Sequence, residues 1–336
     1  MMKKHVSIPI FLPQYGCVNS CVFCNQNTIT GKTQNPSVEE IKQTIETWLT
    51  SIDKNSTYVE IAFFGGNFLG LSEKNQIEYL SIAQKYIDSQ KVDSIRFSTR
   101  PDTVSEKSLS VLTPFSVKNI EIGVQSMDDE VLAKAGRGHT AQDSVNAALL
   151  INDKGYRLGM QMMVGLPGDD DEKSLLTAQK IVKCGAVQTR IYPVLVLKNT
   201  ELANLFLAQK YQALSLEQAI QRCAPIVSVF EDNNVKILKL GLHPSEAYAS
   251  DKDLLAGPYH PSFFQLVLSK IWKDKILQNI DVQSDNGVTV EVHPQNINYA
   301  IGYQSENRNY LKSLYKNISF LSNDAISKDK VKVTYL

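Results

Sequence analysis

The sequence predicts an α/β protein, a partial (β/α)6 barrel of the TIM type over residues 1–200 with an α+β extension over 201–336. Three observations carry this. Apolar strand candidates begin near Val6, Tyr58, Ser94, Ile120, Arg157 and Val187 and alternate with helical patterns, which is how parallel βα units read. Polar or glycine-rich motifs fall at the C-terminal ends of these strands, where barrels place their sites. Beyond about Asn199 the clean alternation stops.

The first strand candidate, Val6 to Leu12, runs into Gly16-Cys17-Val18-Asn19-Ser20-Cys21-Val22-Phe23-Cys24-Asn25. Three of the five cysteines thus lie within eight residues, spaced C-x3-C-x2-C. Thiolates suit zinc and iron–sulfur clusters. A structural zinc site takes four ligands, and no Cys or His follows Cys24 within the next hundred residues. A cubane of four irons held by three cysteines leaves one iron for another ligand. A zinc knuckle completed by a distant histidine remains an alternative. A disulfide is disfavoured because the remainder of the chain has the character of an intracellular protein. A lipoprotein signal ending at Cys17 needs an apolar run of about 7–15 residues, and the run here is broken by Pro9 and Pro13.

The first helix opens with a capping box, Ser37 and Glu40, and carries Val38, Ile41, Ile45, Trp48, Leu49 and Ile52 at helical spacing. The second strand ends in Phe63-Phe64-Gly65-Gly66-Asn67-Phe68, where paired glycines allow a sharp turn and close approach of a ligand. A helix after Ser72 places Ile77, Leu80, Ala83 and Ile87 on one face. The third strand leads to Ser98-Thr99-Arg100-Pro101-Asp102. Pro101 forces Arg100 into an extended conformation and ends the strand. Arg96, Ser98 and Arg100 share a face, and Arg100 is placed either to hold a carboxylate bidentately or to form a surface ion pair.

A third helix starts near Ser105. The fourth strand, Glu121 to Ser126, puts Glu121, Gly123 and Gln125 on one face. Polar groups facing a barrel interior are costly unless they meet a ligand or each other. Arg137-Gly138-His139-Thr140 follows, with His139 expected to position its loop or cap the next helix. The fifth strand runs from Gln161 to Gly168, its Met162 and Met163 read as core. The acidic run Asp169 to Glu172 suits a helix N-terminus. In the sixth, Arg190 and Tyr192 share a face and are placed to line the lumen. Helices are expected over 200–210 and 215–232, a strand over Val235 to Leu240, a helix reaching Gln278 and a strand over Val288 to Val292. His243, His260 and His293 each adjoin a proline at a turn, as substrate contacts or as plain turn chemistry. Cys184 and Cys223 read as buried structural thiols.

A hydrophobic content of 43% and a charged content of 21% are enough for a large core. The formal net charge of zero argues against a uniformly basic nucleic-acid binder. A local patch is open, because Ser305 to Leu336 carries a surplus of three positive charges. With no run of 18 apolar residues, no membrane span is expected, and a cytoplasmic location is.

The cysteine triplet, with Phe23 before its third member, resembles the radical S-adenosylmethionine (SAM) superfamily. Together with F-F-G-G-x-F, S-T-R-P-D, E-x-G-V-Q-S, R-G-H-T and G-L-P-G, it looks most like the radical SAM half of the Elongator catalytic subunit and its bacterial and archaeal relatives. The resemblance implies that Cys17, Cys21 and Cys24 ligate a 4Fe–4S cluster whose open iron chelates SAM. One electron then splits the sulfonium to give a 5′-deoxyadenosyl radical that abstracts hydrogen from substrate, with flavodoxin or ferredoxin as reductant. It also implies that the Gly65-Gly66 backbone holds the SAM amino group, with Asn67 where Glu is common. Ser98 and Arg100 lie near the SAM end. Gln125 contacts the ribose, and Gln161 stands where relatives often carry an Asp for a ribose hydroxyl. Arg137 neutralises the carboxylate, as in the oxygen-independent coproporphyrinogen oxidase branch, and adenine packs on the turn from Gly165 to Gly168. The Elongator enzyme carboxymethylates the tRNA wobble uridine with the help of an acetyltransferase domain, which this chain is too short to carry. The expectation is therefore a radical SAM enzyme of unassigned substrate. Its alternatives are tRNA modification by the same chemistry and a non-catalytic iron–sulfur electron carrier.

Overall fold

The computed structural model describes residues 4–12, 16–17, 21–25, 35–242, 253–280 and 287–335. Its centre is one parallel sheet curled into a half-barrel. In chain order its strands are β1 (Lys4–Phe11), β2 (Thr57–Phe64), β3 (Ser94–Thr99), β4 (Val117–Gln125), β5 (Arg157–Val164), β6 (Gln188–Pro193) and β8 (Lys236–Leu240). Six strands were expected. The seventh comes from beyond residue 200, because the strand over Val235 to Leu240 pairs in parallel with β6 rather than starting a separate sheet.

Helices α1 (Val38–Leu49), α2 (Glu73–Asp88), α3 (Glu106–Ser110), α4 (Asp129–Lys134), α5 (Ala141–Asp153) and α6 (Asp171–Lys183) connect the strands. The expected capping box is present at α1, where Ser37 and Glu40 bond reciprocally. Thr140, not His139, caps α5. Alternate strand residues Ile61, Phe97, Ile122, Met160 and Ile191 face outward and join Ile41, Ile45, Leu80, Ala148 and Ile181 of the helices in one core. Met162 belongs to this core, while Met163, half-buried on the other face, packs against a second cluster around Leu166 and Val194.

The chain then gives a short pair, β7 (Val196–Leu197) and β9 (Leu254–Ala256), and helices α7 (Glu201–Leu207), α8 (Leu216–Asp232) and α9 (Phe263–Gln278). A final module follows with α10 (Ile297–Ile301) and α11 (Glu306–Lys312), and β10 (Val288–Val292) between β11 (Ile318–Ser322) and β12 (Val331–Tyr335). Its apolar face, with Val290 and Val292, packs on Trp272 and Ile276. The sequence reads the tail only as a basic surface; in the structure it supplies β11 and β12, short strands with no fully buried residue. Among the described residues no helix is long and apolar enough to cross a membrane.

The inward faces of the strands are polar, and they meet each other. Glu60 of β2 is fully buried and accepts hydrogen bonds from Ser7 Oγ (2.7 Å) and Asn119 Nδ2 (3.0 Å). Arg96 Nε lies 2.8 Å from Glu60 Oε1, and Arg96 Nη1 lies 3.5 Å from Glu121 Oε2. Arg96 Nη2 donates to Gln188 Oε1 at 2.7 Å. Glu121 Oε2 in turn accepts from Arg190 Nε at 2.9 Å. Arg190 stacks on the Phe64 ring from across the lumen, 5.1 Å from its centroid. Two carboxylates and two guanidiniums from four strands therefore fill the lower lumen, each charge offsetting the burial of its neighbour.

Candidate functional site

At the C-terminal ends of β2 and β3 the chain makes a tight knot. Phe64 is followed by Gly65 at φ +95° and by the 3-10 turn Phe68–Gly70. Asn67 between them is fully buried. Its Nδ2 donates to the Gly16 carbonyl at 2.9 Å. Its Oδ1 accepts from Thr99 Oγ1 (2.6 Å), Thr103 Oγ1 (2.9 Å) and the Arg100 amide (3.0 Å). Asn67 was expected among the cofactor contacts; its bonds to protein clamp the start of the cysteine loop to two strand ends. The clamp requires glycine on both sides. A Cβ on Gly70 would lie 2.3 Å from the Gly16 carbonyl oxygen, and one on Gly16, which has φ +78°, would lie 2.3 Å from the Asn67 carbonyl oxygen.

Arg100, at the tip of β3, is buried. Its Nε and Nη2 both reach Asp102 at 2.9 Å, so the carboxylate it holds bidentately is the chain's own. Its Nη2 also donates to the Arg137 carbonyl at 2.5 Å. Arg137 lies between two glycines of positive φ, Gly136 and Gly138. Its Nη1 donates to Cys21 Sγ at 3.1 Å and its Nη2 to the Gly123 carbonyl at 2.5 Å. Arg100 Nη1 and Arg137 Nε are buried and without a hydrogen-bond partner. His139 joins them, buried, with neither ring nitrogen in a well-formed bond. Burial, then the charges of Arg137 and Arg100, lower its pKa to about 4, so it is neutral at pH 7. Unpaired buried donors are rare in folded proteins, and an absent ligand is one explanation for them.

Gln125 and Gln161, both expected to contact the ribose, meet each other. Gln161 Nε2 donates to Gln125 Oε1 at 3.3 Å. Gln125 ends β4 at φ +68°, beyond a bulge between Gly123 and Gln125. A side chain held in left-handed backbone costs on the order of 1 kcal/mol and is characteristic of functional sites. Ser98 is half-buried on β3, in register with Glu121 of β4. Gly66 is half-buried beside the knot. Gly165, at φ +89°, donates its amide to Asp169 Oδ2 (2.7 Å) and accepts from the Tyr211 hydroxyl (2.6 Å). The turn it opens lines a cavity of about 310 Å³ with Lys134, Tyr211, Leu214 and Arg222.

Cys17 is exposed, Cys24 half-buried and Cys21 buried. Among the described residues no three of His, Cys, Asp and Glu already surround one point. Residues 18–20 of the loop lie outside the described residues. What fits an anionic iron–sulfur group and the carboxylate of SAM is the donor chemistry. Three thiols share one short loop, a guanidinium bonds to one of them, and buried cationic N–H groups lack acceptors beside it.

His260 lines a small cavity with Pro193 and Gly241 at the ends of β6 and β8, and both His260 and His293 are engaged in their own turns. Each accepts, through Nδ1, the amide two residues on in its own turn, Ser262 at 3.0 Å and Gln295 at 3.2 Å. His243 lies outside the described residues. Cys223 is buried as expected, whereas Cys184 is only half-buried because it caps the end of α6. Sequence reasoning missed Glu60, Thr99, Thr103 and Gln188. Glu60 and Gln188 did share the period-two faces of inward residues, and that signal could have found them.

The Radical SAM superfamily profile matches residues 11–181, and the Radical_SAM C-terminal domain profile matches 187–273. The chain is similar to the tRNA uridine(34) acetyltransferase of Methanocaldococcus jannaschii, at 32% identity over 126 residues, 37% of this chain and 23% of that protein. It is similar to human Elongator complex protein 3, at 26% identity over 281 residues, 76% of this chain and 48% of that protein. Matches of this kind span less than two thirds of the relatives' own length. Among solved structures, archaeal Elp3 of Methanocaldococcus infernus superposes with a TM-score of 0.65 at 19% identity, over 82% of this chain and 64% of that one, a likeness of fold.

Proposed function

Because the chain belongs to the radical SAM superfamily, we propose that it is an enzyme whose Cys17, Cys21 and Cys24 hold a 4Fe–4S cluster and whose strand ends hold SAM. Once bound, that pair supplies a 5′-deoxyadenosyl radical able to take a hydrogen atom from substrate, chemistry no side chain provides. Arg137, fixed between Cys21 and the Gly123 carbonyl, presents its free Nε to a carboxylate. Arg100 adds Nη1, and its own geometry is locked by Asp102. The paired amides of Gln125 and Gln161 offer donors and acceptors suited to ribose hydroxyls. Gly65 and Gly66 bring backbone close to the ligand. The ion network occupies the lumen below, so substrate enters at the C-terminal rim, beside the region 201–336. A flavodoxin or ferredoxin is proposed as electron donor.

The observation that carries this reading is the group of buried, unpaired guanidinium nitrogens beside Cys21. Anaerobic reconstitution with iron and sulfide, followed by dithionite and SAM, should yield 5′-deoxyadenosine. The triple Cys17→Ala/Cys21→Ala/Cys24→Ala variant should bind little iron and release none of the nucleoside. Equal nucleoside from the two proteins overturns the reading.

A second reading, tRNA as substrate, is supported by likeness to a tRNA uridine(34) acetyltransferase and by the C-terminal module. There Lys273 sits over Tyr310 (4.1 Å) and Arg308 over Phe320 (5.8 Å), a pairing of cations with aromatics that suits RNA. Binding to tRNA should weaken steeply as salt rises, and no binding at low salt removes this reading.

A further inference from the structure

One row of residues crosses the half-barrel from the proposed SAM site to its far edge. Gly123 is in register with Gln161, Gln161 with Arg190, and Arg190 with Lys239 of β8. The last pairing depends on an irregularity. Between Thr189 and Arg190 the register of β8 slips by one residue, from Ile237 to Lys239, skipping Leu238. Without that bulge Leu238 would stand beside Arg190. Bulges next to functional sites re-aim side chains in this way.

The bulge sets a lysine next to an arginine, beside an ion network whose own charges are matched. Glu60 and Glu121 offset Arg96 and Arg190. Lys239 adds a further cation to that network: it is half-buried and forms no ion pair among the described residues. Burial, then the charge of Arg190, lower its pKa, so its charged form is disfavoured where it stands. Two adjacent cations facing a low-dielectric lumen repel each other, and an anion between them converts that repulsion into attraction. Tyr192, on the same face of β6 and bonded to Arg190, and the Phe64 ring complete the surroundings.

We propose that Lys239 and Arg190 bind an anionic group of the substrate, carboxylate or phosphate oxygens, at the far side of the lumen from the SAM site. Strands in a sheet are about 4.8 Å apart, so Lys239 lies two spacings, roughly 10 Å, from the strand that carries Gln161. That span suits a small metabolite or one nucleotide unit with its reacting carbon toward Gln161 and its charge toward Lys239. The inference rests on the proposed function only in taking the lumen as the substrate chamber.

The test uses the unreconstituted full chain and reads no SAM chemistry. Loss of 5′-deoxyadenosine formation would overturn the function above, and the present result is independent of it. Thermal unfolding of wild type, Lys239→Met and Lys239→Arg is measured in chloride, then with inorganic phosphate or malonate at matched ionic strength. In chloride, Lys239→Met should be at least as stable as wild type, because repulsion is relieved. One or both anions should raise the wild-type midpoint by about 2 °C, keep that rise in Lys239→Arg and lose most of it in Lys239→Met. A response to phosphate alone identifies a phosphoryl group, and one to malonate alone identifies a carboxylate. A less stable Lys239→Met in chloride, equal rises in wild type and Lys239→Met, or no rise with either anion overturns the proposal.

Discussion

Arg96→Met should destabilise the protein by about 3–5 kcal/mol, the cost of stranding a buried charge. The side chain is 2% exposed and touches Glu60, Glu121 and Gln188, which come from three different strands. Removing it leaves two buried carboxylates with one guanidinium, Arg190, within reach of only one of them. Urea unfolding should show the loss, and the double variant Arg96→Met/Glu60→Gln should recover a large part of it. A single-variant loss under 1 kcal/mol would mean that the lumen is wetter than its burial indicates. Glu60 adds a pH dependence to the same measurement. Burial pushes its pKa up, but the His5 hydrogen bond, the Arg96 charge and the Ser7 hydrogen bond outweigh that and hold it below 4.5. A depressed folded pKa contributes stability that is complete above the unfolded value and lost as pH falls through the folded one. Wild type should therefore weaken in acid below about pH 4.5, and Glu60→Gln should weaken less there.

Asn67→Ala should cost on the order of 3 kcal/mol, since it orphans the Gly16 carbonyl and the Arg100 amide at 1–3 kcal/mol each. Its larger effect should be on cluster assembly, because Gly16 immediately precedes Cys17. Iron bound per chain after reconstitution should fall several-fold while far-ultraviolet circular dichroism stays native. Asn67→Asp separates the two effects. It keeps the acceptor for Thr99, Thr103 and Arg100 and replaces the donor to Gly16 with an oxygen. If its iron content matches wild type, the contact with Gly16 is not what holds the loop.

The period-two pattern of the strands made most of the fold legible. It identified the six barrel strands near their observed starts and put Glu121 with Gln125 and Arg96 with Ser98 on common faces. Helix starts were equally readable, because Ser37 and Thr140 cap through bonds to residues three positions on. The seventh barrel strand was legible as a strand but not as a member of the sheet. Its paired residues in β6 lie 48 or 49 positions upstream, and no local pattern records that pairing.

By itself, the sequence determined the spacing of three thiols, the alternation that builds a curled parallel sheet and the polar character of its inner face. Those are properties of neighbours along the chain, fixed by covalent spacing and by the two-residue strand repeat. Only the tertiary structure decided which polar groups meet. Curvature brings Glu60, Arg96, Glu121 and Arg190 together from four strands, sets Asn67 as a clamp on Gly16, and, through one skipped residue, aims Lys239 beside Arg190. Such meetings depend on distances across the sheet, where contacts are set by register and burial rather than by order in the chain.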